Sequence, residues 1–284
     1  MASDYLKMLI HYSLPKQALT SLAGFLANIK TPRIKDALIG YFIRKYNINL
    51  EEALEENPAH YATFNDFFIR HLKPECRPIA NAGIVSPVDG YISQLGPVNK
   101  GTLVQAKGHD YSVHELLSCK KEQSALFDKG LFATLYLSPQ DYHRIHMPLD
   151  ATLKEMIYVP GKLFSVQPTT TRMIPKLFAQ NERLVVFFET AIGLMAMVLV
   201  GATIVGSIGT HWHGDLARRR ERRYFNYNET LSLLKGQEMG YFKLGSTVIL
   251  LLSNQDKARW QAHLSPGDKI RFGQALGVIE SADN

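Results

Sequence analysis

The feature that most constrains the fold is a short apolar segment near the end of the chain. Residues 248–252 read Val-Ile-Leu-Leu-Leu, a partly β-branched run that predicts a buried β-strand. Phe242 and Leu244 extend the apolar pattern upstream, so the strand is predicted to continue through Gly245 and Ser246. Glycine weakens the interior of a strand and marks a bulge or a close approach to the backbone. A hydroxyl side chain follows this glycine directly.

Gly245 and Ser246 admit two interpretations. One is a bulged core strand in which Ser246 and Thr247 are buried and hydrogen-bonded. The other is chemical, because a serine hydroxyl can attack the carbonyl carbon of the preceding residue when the backbone is strained. Glycine there removes the Cβ that would block the attack. The amide then becomes an ester, elimination breaks the chain, and loss of ammonia leaves an N-terminal pyruvoyl group.

Composition limits the classes of protein that need to be considered. The 284 residues, 20% charged and 46% hydrophobic, are typical of a globular protein. A formal charge of +6 favours anionic partners such as lipid headgroups, nucleic acid or acidic metabolites. Cys76 and Cys119 are the only cysteines, which fits a reducing compartment. The first residues lack a basic segment followed by an apolar core, so no secretory signal is predicted.

One segment resembles a membrane-spanning helix in length and lack of charge. Residues 191–209 carry no charge and are about long enough to cross a bilayer. They contain four glycines, however, and they follow the mostly apolar segment 184–189 after a turn-like break at 190–193. This pattern predicts two buried strands of a hairpin rather than a transmembrane helix.

The sequence divides into a helical region, residues 1–75, and a β-rich region, residues 76–284. The front end is basic and carries apolar residues at helical spacing, with a helix start predicted at Thr31 and Pro32. It therefore lies in a membrane interface or packs on the next domain. Its apolar stripes include Leu6, Leu9, Leu19, Leu22, Leu26, Ile34 and Leu38. Residues 63–70 predict a short aromatic helix with its phenylalanines in the core.

From Arg77 onward, short runs of β-forming residues alternate with Gly, Pro, Asn and Asp. This spacing predicts a mostly antiparallel β-sandwich or barrel-like body, so the fold class is α+β, with N-terminal amphipathic helices before a β-rich catalytic body. One helix is predicted within the body at residues 112–118, where Ser112 is the cap and Glu115 completes a capping box.

Three groups of polar residues in the body are candidates for function. Asp89 lies in a tight Asp-Gly turn between two strand-like runs. His143 and His146 follow a strand, and they are either structural histidines or metal ligands together with Asp141 or His109. The third group is predicted to lie on the surface without a role, and it consists of His211 and His213.

Several motifs occur together in a characteristic order. With the segment 61–68 of the front end, they resemble the bacterial-type phosphatidylserine decarboxylases over nearly the whole chain. The motifs of the body are residues 86–90, 142–148, 156–161, 163–166, 200–208 and 235–247. Departures lie mainly in residues 209–228, which include the basic run 218–223, and in the tail after Leu276.

The resemblance implies that the chain cuts itself between Gly245 and Ser246, into a large chain 1–245 and a small chain 246–284. Asp89, His146 and Ser246 would form a triad in which Asp89 fixes the tautomer of His146. His146 would then take the proton from the Ser246 hydroxyl. The implied cofactor is the pyruvoyl group derived from Ser246, and no metal is expected.

The same resemblance implies decarboxylation of phosphatidylserine to phosphatidylethanolamine and CO₂. The pyruvoyl carbonyl would form an imine with the headgroup amine and act as the electron sink. His143 is the candidate proton donor to the α-carbon, and Ser165 would help place the headgroup. The implied partners are phosphatidylserine in anionic membranes, the protein's own small chain and a second copy in a homodimer, without nucleic acid. The protein is expected at the cell membrane, peripheral, on the cytoplasmic side.

Other functions use the same residues. A pyruvoyl enzyme acting on a soluble amino acid would share Gly245 and Ser246 but would have little use for basic amphipathic helices. A metal hydrolase would use His143 and His146 as ligands and would leave the chain uncut. A membrane-binding protein without catalysis would not need Asp89, His146 and Ser246 together.

Overall fold

The computed structural model describes residues 16–106, 108–203, 207–227, 230–243 and 246–280. The α+β class is confirmed. Short 3₁₀ turns occur at Pro58–His60 and Pro74–Cys76. Ser112 and Glu115 form the predicted capping box at the start of the fourth helix. The helices are α1 Lys16–Ala27, α2 Pro32–Tyr46, α3 Phe64–Phe68, α4 Val113–Leu117, α5 Lys121–Ala125, α6 Pro168–Thr171 and α7 Leu177–Gln180.

The strands follow in short segments through the body of the protein. They are β1 Ile84–Val85, β2 Gly90–Pro97, β3 Thr102–Ala106, β4 His109–Ser112, β5 Leu131–Leu137, β6 Arg144–His146, β7 Ala151–Val159, β8 Arg183–Thr190, β9 Gly193–Val200, β10 Ser207–Thr210, β11 Gly214–Leu216, β12 Arg223–Asn226, β13 Ser232–Leu233, β14 Glu238–Lys243, β15 Ser246–Leu252, β16 Ala258–Trp260, β17 Lys269–Ile270 and β18 Ala275–Ile279.

The largest sheet has nine antiparallel strands in the order β12-β7-β8-β9-β15-β5-β2-β17, with β13 also paired to β7. Strand β15 lies inside this sheet, between β9 and β5. Alternate side chains of β15 enter two different hydrophobic clusters: Val248 and Leu250 join one, and Ile249 and Leu251 join the other. The predicted buried strand is confirmed because apolar cores cover both of its faces.

The predicted continuation of the buried strand upstream is confirmed as far as Ser246, where β15 begins, and its passage through Gly245 falls outside the described residues. Strand β14 ends at Lys243 and belongs to a four-stranded sheet of order β11-β10-β14-β6, whereas β15 begins at Ser246 in the nine-stranded sheet. Phe242 nevertheless shares a hydrophobic cluster with Val248. The apolar pattern therefore continues across the junction although the chain changes sheets. Leu244 and Gly245 lie outside the described residues.

The predicted hairpin is confirmed. Strands β8 and β9 pair from Arg183 with Val200 to Thr190 with Gly193. The segment 191–209 is not one strand, however, because β9 ends at Val200 and β10 begins at Ser207 in the four-stranded sheet. Within the described ranges, no helix has both the length and the apolar character needed to cross a membrane.

The helical front end both packs on itself and exposes apolar side chains. Pro32 is the first residue of α2, as predicted, although the Thr31 side chain makes no capping hydrogen bond. The three phenylalanines of α3 are buried, and the Phe42 ring of α2 lies 5.0 Å from Phe64 between centroids. The helix expected around residues 5–12 is outside the described residues. The exposed apolar residues of α1 and α2 are Leu22, Phe25, Leu26, Ile34 and Tyr41.

Candidate active site

His146 is the last residue of β6 and is held in one tautomer. Its Nδ1 lies 2.9 Å from the main-chain oxygen of Gly236, an acceptor only, so Nδ1 carries the proton. Nε2 is then the unprotonated nitrogen, and it accepts a hydrogen bond from the Tyr142 hydroxyl at 3.2 Å. The ring also stacks on Phe272, with centroids 3.6 Å apart.

Because His146 is buried, its imidazole is neutral and can act as a base. Removal from water lowers the pKa of His146 to about 4, although the hydrogen bond to Gly236 acts in the opposite direction. The imidazole is therefore neutral near pH 7, and its Nε2 lone pair can take a proton. This is the state that activation of a serine hydroxyl requires.

Asp89 is buried, and its carboxylate is bound by partners other than His146. Arg77 donates from Nε to both carboxylate oxygens at 3.0 and 3.1 Å, and from Nη2 at 2.6 Å. The hydrogen bond from His146 Nδ1, which the triad would direct to Asp89, goes to Gly236 instead. The proposed role of Asp89 in fixing the tautomer is therefore filled by a main-chain carbonyl in this structure.

Asp89 is connected to His146 through Phe272. Its Oδ1 accepts the Phe272 main-chain N–H at 2.8 Å, and the ring of Phe272 stacks on the imidazole. Asp89 thus holds the residue that forms one wall of the His146 site. Phe272 lies in residues 246–284, so the predicted small chain would contribute this wall.

Arg77 should be important for stability. Arg77→Ala leaves the Asp89 carboxylate buried without a cation, and we expect it to lower the free energy of unfolding by about 3–5 kcal/mol. Denaturant titration measures the change. Arg271→Ala is the matched control, because Arg271 contacts Glu52 at 3.5 Å with a half-exposed side chain and should contribute about 1 kcal/mol or less. Equal losses in the two variants would contradict the assigned role of Arg77.

His143 is completely buried next to the front end. Its Nδ1 donates to the main-chain oxygen of Asp141 at 2.8 Å, and its ring lies 4.1 Å from that of Phe68 in α3. Burial lowers the pKa of His143 to about 3, so the ring is neutral near pH 7. Among the described atoms, Nε2 has no hydrogen-bond partner. This nitrogen is therefore not engaged by another described group and is available for proton transfer.

The strand register places Ser246 opposite the end of the strand that leads to the histidines. It opens β15 opposite Leu137, the last residue of β5, and the chain then leads from Leu137 through a short loop to His143. On the other side of the predicted cut, β14 pairs with β6, and the Phe242 N–H donates to the His143 carbonyl at 3.0 Å. Strand β14 therefore contacts the segment that carries the histidines, and β15 pairs with β5, the strand that precedes this segment. Nothing is described for the Ser246 side chain or for Gly245.

A cavity of about 690 Å³ lies beside this register position. Tyr136 and Ser138, which flank Leu137, line it. The lining also includes Val166 and Gln167, the two residues that follow Ser165. Ser165 is half-buried, and its hydroxyl accepts the Gln167 N–H at 3.5 Å. The other residues that line the cavity are Tyr91, Ile92, Ser93, Gln94, Gln105, Ala106, Pro168, Thr169, Thr171, Arg172 and Gly267.

Several residues of the site were not identified from the sequence. Arg77 and Phe272 carry no local signal that separates them from other cations and aromatics. The Gly236 carbonyl has no sequence signal, since every residue has a main-chain oxygen. Phe68 was expected only as a core residue. Its contact with His143 depends on how the front end packs on the body.

The remaining histidine predictions have mixed outcomes. In the part of the chain that the structure describes, no group of three or more His, Cys, Asp or Glu side chains is placed to hold a metal ion. His109 instead contacts the Arg172 carbonyl at 3.0 Å. His211 is half-exposed, yet it contacts Glu238 at 3.1 Å, so it is not an isolated surface residue. The ring of His213 lies 4.7 Å from that of Phe225.

The site thus has a neutral buried histidine on β6, which pairs with β14, and a serine that opens β15 in an α+β fold. These are residue types that an enzyme with an activated serine requires. Comparison with known proteins identifies the family. The family model described as phosphatidylserine decarboxylase matches residues 64–278, and a second model described as PSD matches residues 6–47. The chain belongs to the phosphatidylserine decarboxylase family.

Full-length relatives agree with the family model. A phosphatidylserine decarboxylase proenzyme of Legionella pneumophila (strain Lens) is 55% identical over 282 residues, covering 98% of this chain and 100% of the relative. Proteins with the same name from Acidovorax ebreus and Idiomarina loihiensis are 49% and 45% identical. These alignments cover 96% and 99% of this chain, and 98% and 99% of the relatives.

Proposed function

We propose that this protein converts phosphatidylserine to phosphatidylethanolamine and CO₂ after cutting itself between Gly245 and Ser246. The observation that carries the proposal is the state of His146, which is buried, neutral and fixed with its proton on Nδ1. It lies on β6, the strand that pairs with β14 just before the proposed cut. The names of the relatives, which are proenzymes, support both the substrate and the processing.

The arrangement of strands fits a pyruvoyl group at position 246. When present, that group supplies an electrophilic carbonyl and an electron sink for decarboxylation. The two ends made by the cut are held separately: β14 pairs with β10 and β6, and β15 pairs with β9 and β5. Each end keeps its own neighbours, so the loss of one peptide bond need not separate the chains.

Proton transfer in the first stage is assigned to His146. Nε2 takes the proton of the Ser246 hydroxyl. Nδ1 meanwhile keeps its hydrogen bond to the Gly236 carbonyl, so both nitrogens of the imidazolium carry a proton. The negative charge of Asp89 raises the pKa of His146 and so favours this charged state. Asp89 contributes as a buried charge and through Phe272 rather than by direct contact.

His143 is assigned to the second stage. Because its ring is neutral and Nε2 is unprotonated, it must gain a proton before it can give one to the α-carbon. A substrate carboxylate brought near Nε2 would favour the imidazolium and raise its pKa. Departure of that carboxylate as CO₂ removes the favourable charge, and the proton is then released. Ser165 and the neighbouring cavity would hold the rest of the headgroup.

The lipid substrate requires the enzyme to act at a bilayer surface. We place the protein at the cytoplasmic side of the cell membrane as a peripheral protein, with α1 and α2 in the interface. Leu22 and Phe25 of α1 are 56% and 68% exposed, which is unusual for large apolar side chains unless another surface covers them. A homodimer stays a prediction of the family resemblance, and sedimentation velocity would measure it.

Decarboxylation of phosphatidylserine in vesicles should depend on the side chains of Leu22 and Phe25. We expect Leu22→Ser/Phe25→Ser to lower CO₂ release from phosphatidylserine vesicles about tenfold, because less apolar area enters the interface. Turnover of a soluble short-chain phosphatidylserine should be unchanged. The matched control is Leu126→Ser/Leu234→Ser, which alters leucines with exposures of 56% and 67% outside the front end.

Substitution is preferable to deletion of residues 1–45, because Ile39 and Phe42 pack on the phenylalanines next to His143. An equal loss in the two double variants would mean that α1 has no special role at the membrane. Release of CO₂ from free serine, but not from phosphatidylserine, would favour the decarboxylase of a soluble amino acid. Activity that is lost with a chelator and restored by zinc, in a chain that stays whole, would favour the metal hydrolase.

A further inference from the structure

A basic run lies outside the candidate active site. Residues 218–223 read Arg-Arg-Arg-Glu-Arg-Arg, and all six are exposed. They connect β11 to the first residue of β12. The Tyr158 hydroxyl accepts the Arg219 N–H at 3.0 Å and contacts its carbonyl at 3.2 Å. The loop is therefore anchored to β7 through its main chain, without using the Arg219 side chain.

The arginines of this run are only partly neutralised. Arg218 pairs with Glu182 at 2.6 Å, and Arg222 donates to Ser118 and Tyr224. Among the described residues, no carboxylate lies within ion-pairing distance of the side chains of Arg219, Arg220 and Arg223. Clustered arginines without carboxylate partners attract anions.

A cleft of about 530 Å³ lies against these arginines. Glu182 is the only acid among its described lining residues, and it is already paired with Arg218. The three lining arginines and the one glutamate give the described lining of the cleft a net charge of +2. Guanidinium groups bind phosphate oxygens in a bidentate manner. The lining residues are Ser21, Pro160, Gly161, Glu182, Arg218, Arg219 and Arg220.

Helix α1 forms the other side of the cleft. Ser21 lines the cleft, and Phe25 lies one helical turn further along the same face. Leu22 and Phe25 are both exposed, so an apolar patch adjoins the basic cleft. A cationic cleft beside exposed apolar side chains complements a bilayer that carries negative headgroups over an apolar interior.

We propose that this cleft binds the phosphate of an anionic phospholipid within the bilayer, at a site separate from the one where the substrate reacts. None of its lining residues belongs to the candidate active site or to the cavity beside Ser246. The bound lipid would hold α1 at the membrane surface and orient the enzyme on it. This inference rests on the proposed function, which brings the enzyme to a bilayer surface.

Co-sedimentation with vesicles lacking phosphatidylserine tests the cleft alone. The probe is phosphatidylcholine vesicles with and without phosphatidylglycerol, which has no amine for the active site. We expect Arg219→Gln/Arg220→Gln to bind the anionic vesicles about tenfold more weakly than the unaltered protein. Ser21→Phe fills the cleft without changing its charge, and it should weaken binding at least about threefold.

A matched control separates the cleft from general electrostatic attraction. Lys129→Gln/Lys257→Gln removes two positive charges from exposed residues that do not line the cleft, and it should bind within about twofold of the unaltered protein. An equal loss in this control, or normal binding by both cleft variants, would overturn the proposal. Binding of inorganic phosphate in solution that both cleft variants lose, while their binding to anionic vesicles stays unchanged, would overturn it in favour of a free-phosphate site.

The same variants keep the proposal distinct from the proposed function. Each should decarboxylate a short-chain phosphatidylserine in detergent at the normal rate, because the cleft shares no residue with the active site. If the unaltered protein fails that assay, the proposed function is refuted, and the vesicle comparison still decides whether the cleft binds anionic lipid. Loss of the detergent activity in the cleft variants alone would contradict a separate site.

Discussion

Ser246→Ala is expected to remain a single chain of 284 residues and to have no measurable decarboxylase activity. Without the hydroxyl, no nucleophile can attack the Gly245 carbonyl, and without the cut no pyruvoyl group forms. Mass spectrometry of the denatured protein reads the result directly. The unaltered protein should separate into chains 1–245 and 246–284, with the smaller one blocked at its N-terminus.

Thr247→Val is the control for Ser246→Ala. The neighbouring hydroxyl of Thr247 is buried and has no hydrogen-bond partner among the described atoms, so its loss should leave cutting intact. A Ser246→Ala protein that is cut, or an unaltered protein that is fully active as one chain, would remove the basis of the pyruvoyl mechanism.

His146→Ala and His143→Ala should fail at different stages. His146→Ala loses the base that activates Ser246, so we expect cutting to slow by about 10²–10⁴-fold. His143→Ala should be cut normally and should lose decarboxylation by a similar factor, because only the later proton transfer needs this ring. A gel measures cutting, and CO₂ release from the processed fraction measures the second stage.

Borohydride trapping locates the defect in His143→Ala. Reduction in the presence of phosphatidylserine should still fix the lipid amine to the small chain in this variant. His213→Ala, in which an exposed histidine is removed, is the control for both stages. Thermal unfolding should first establish that the two buried substitutions leave a folded protein. Blocked cutting in His143→Ala with normal cutting in His146→Ala would reverse the two roles.

The pH dependence of cutting provides a second readout for His146. A base must be neutral to act, and with a pKa of about 4 the neutral fraction of His146 falls only as the pH drops towards that value. Freshly synthesised precursor should therefore be cut at nearly the same rate at about pH 5.5 as at about pH 7. A histidine with the usual pKa would be only about one-tenth neutral at the lower value. A tenfold fall over this interval would contradict the buried base.

Much of the β-rich body could be predicted from the sequence because its signals are local. The pattern alone is enough to identify strands in the apolar run at residues 248–252 and in the two runs that form β8 and β9, because these runs are long. The capping box of Ser112 and Glu115 depends on residues three apart, and it is confirmed. The candidate residues Asp89, His143, His146 and Ser246 came from the motif resemblance, and their roles stay predictions.

What the sequence could not determine is how distant segments meet. Phe242 and Val248 fill one core, yet their strands β14 and β15 belong to different sheets. The apolar residues of 242–252 do not reveal that change of sheet. The sequence motifs likewise placed Asp89 with His146, whereas packing joined Asp89 to Arg77 and Phe272 and gave the Nδ1 contact to Gly236.

The sequence by itself determined the α+β class, the buried strand at residues 248–252 and the residue types available for chemistry. Only the tertiary structure decided the protonation states of His143 and His146, because a pKa depends on burial and on hydrogen-bond partners far along the chain. It also decided that the basic run at residues 218–220 faces a cleft beside α1. Local patterns specify elements, whereas the environment of each side chain exists only after long-range packing has formed.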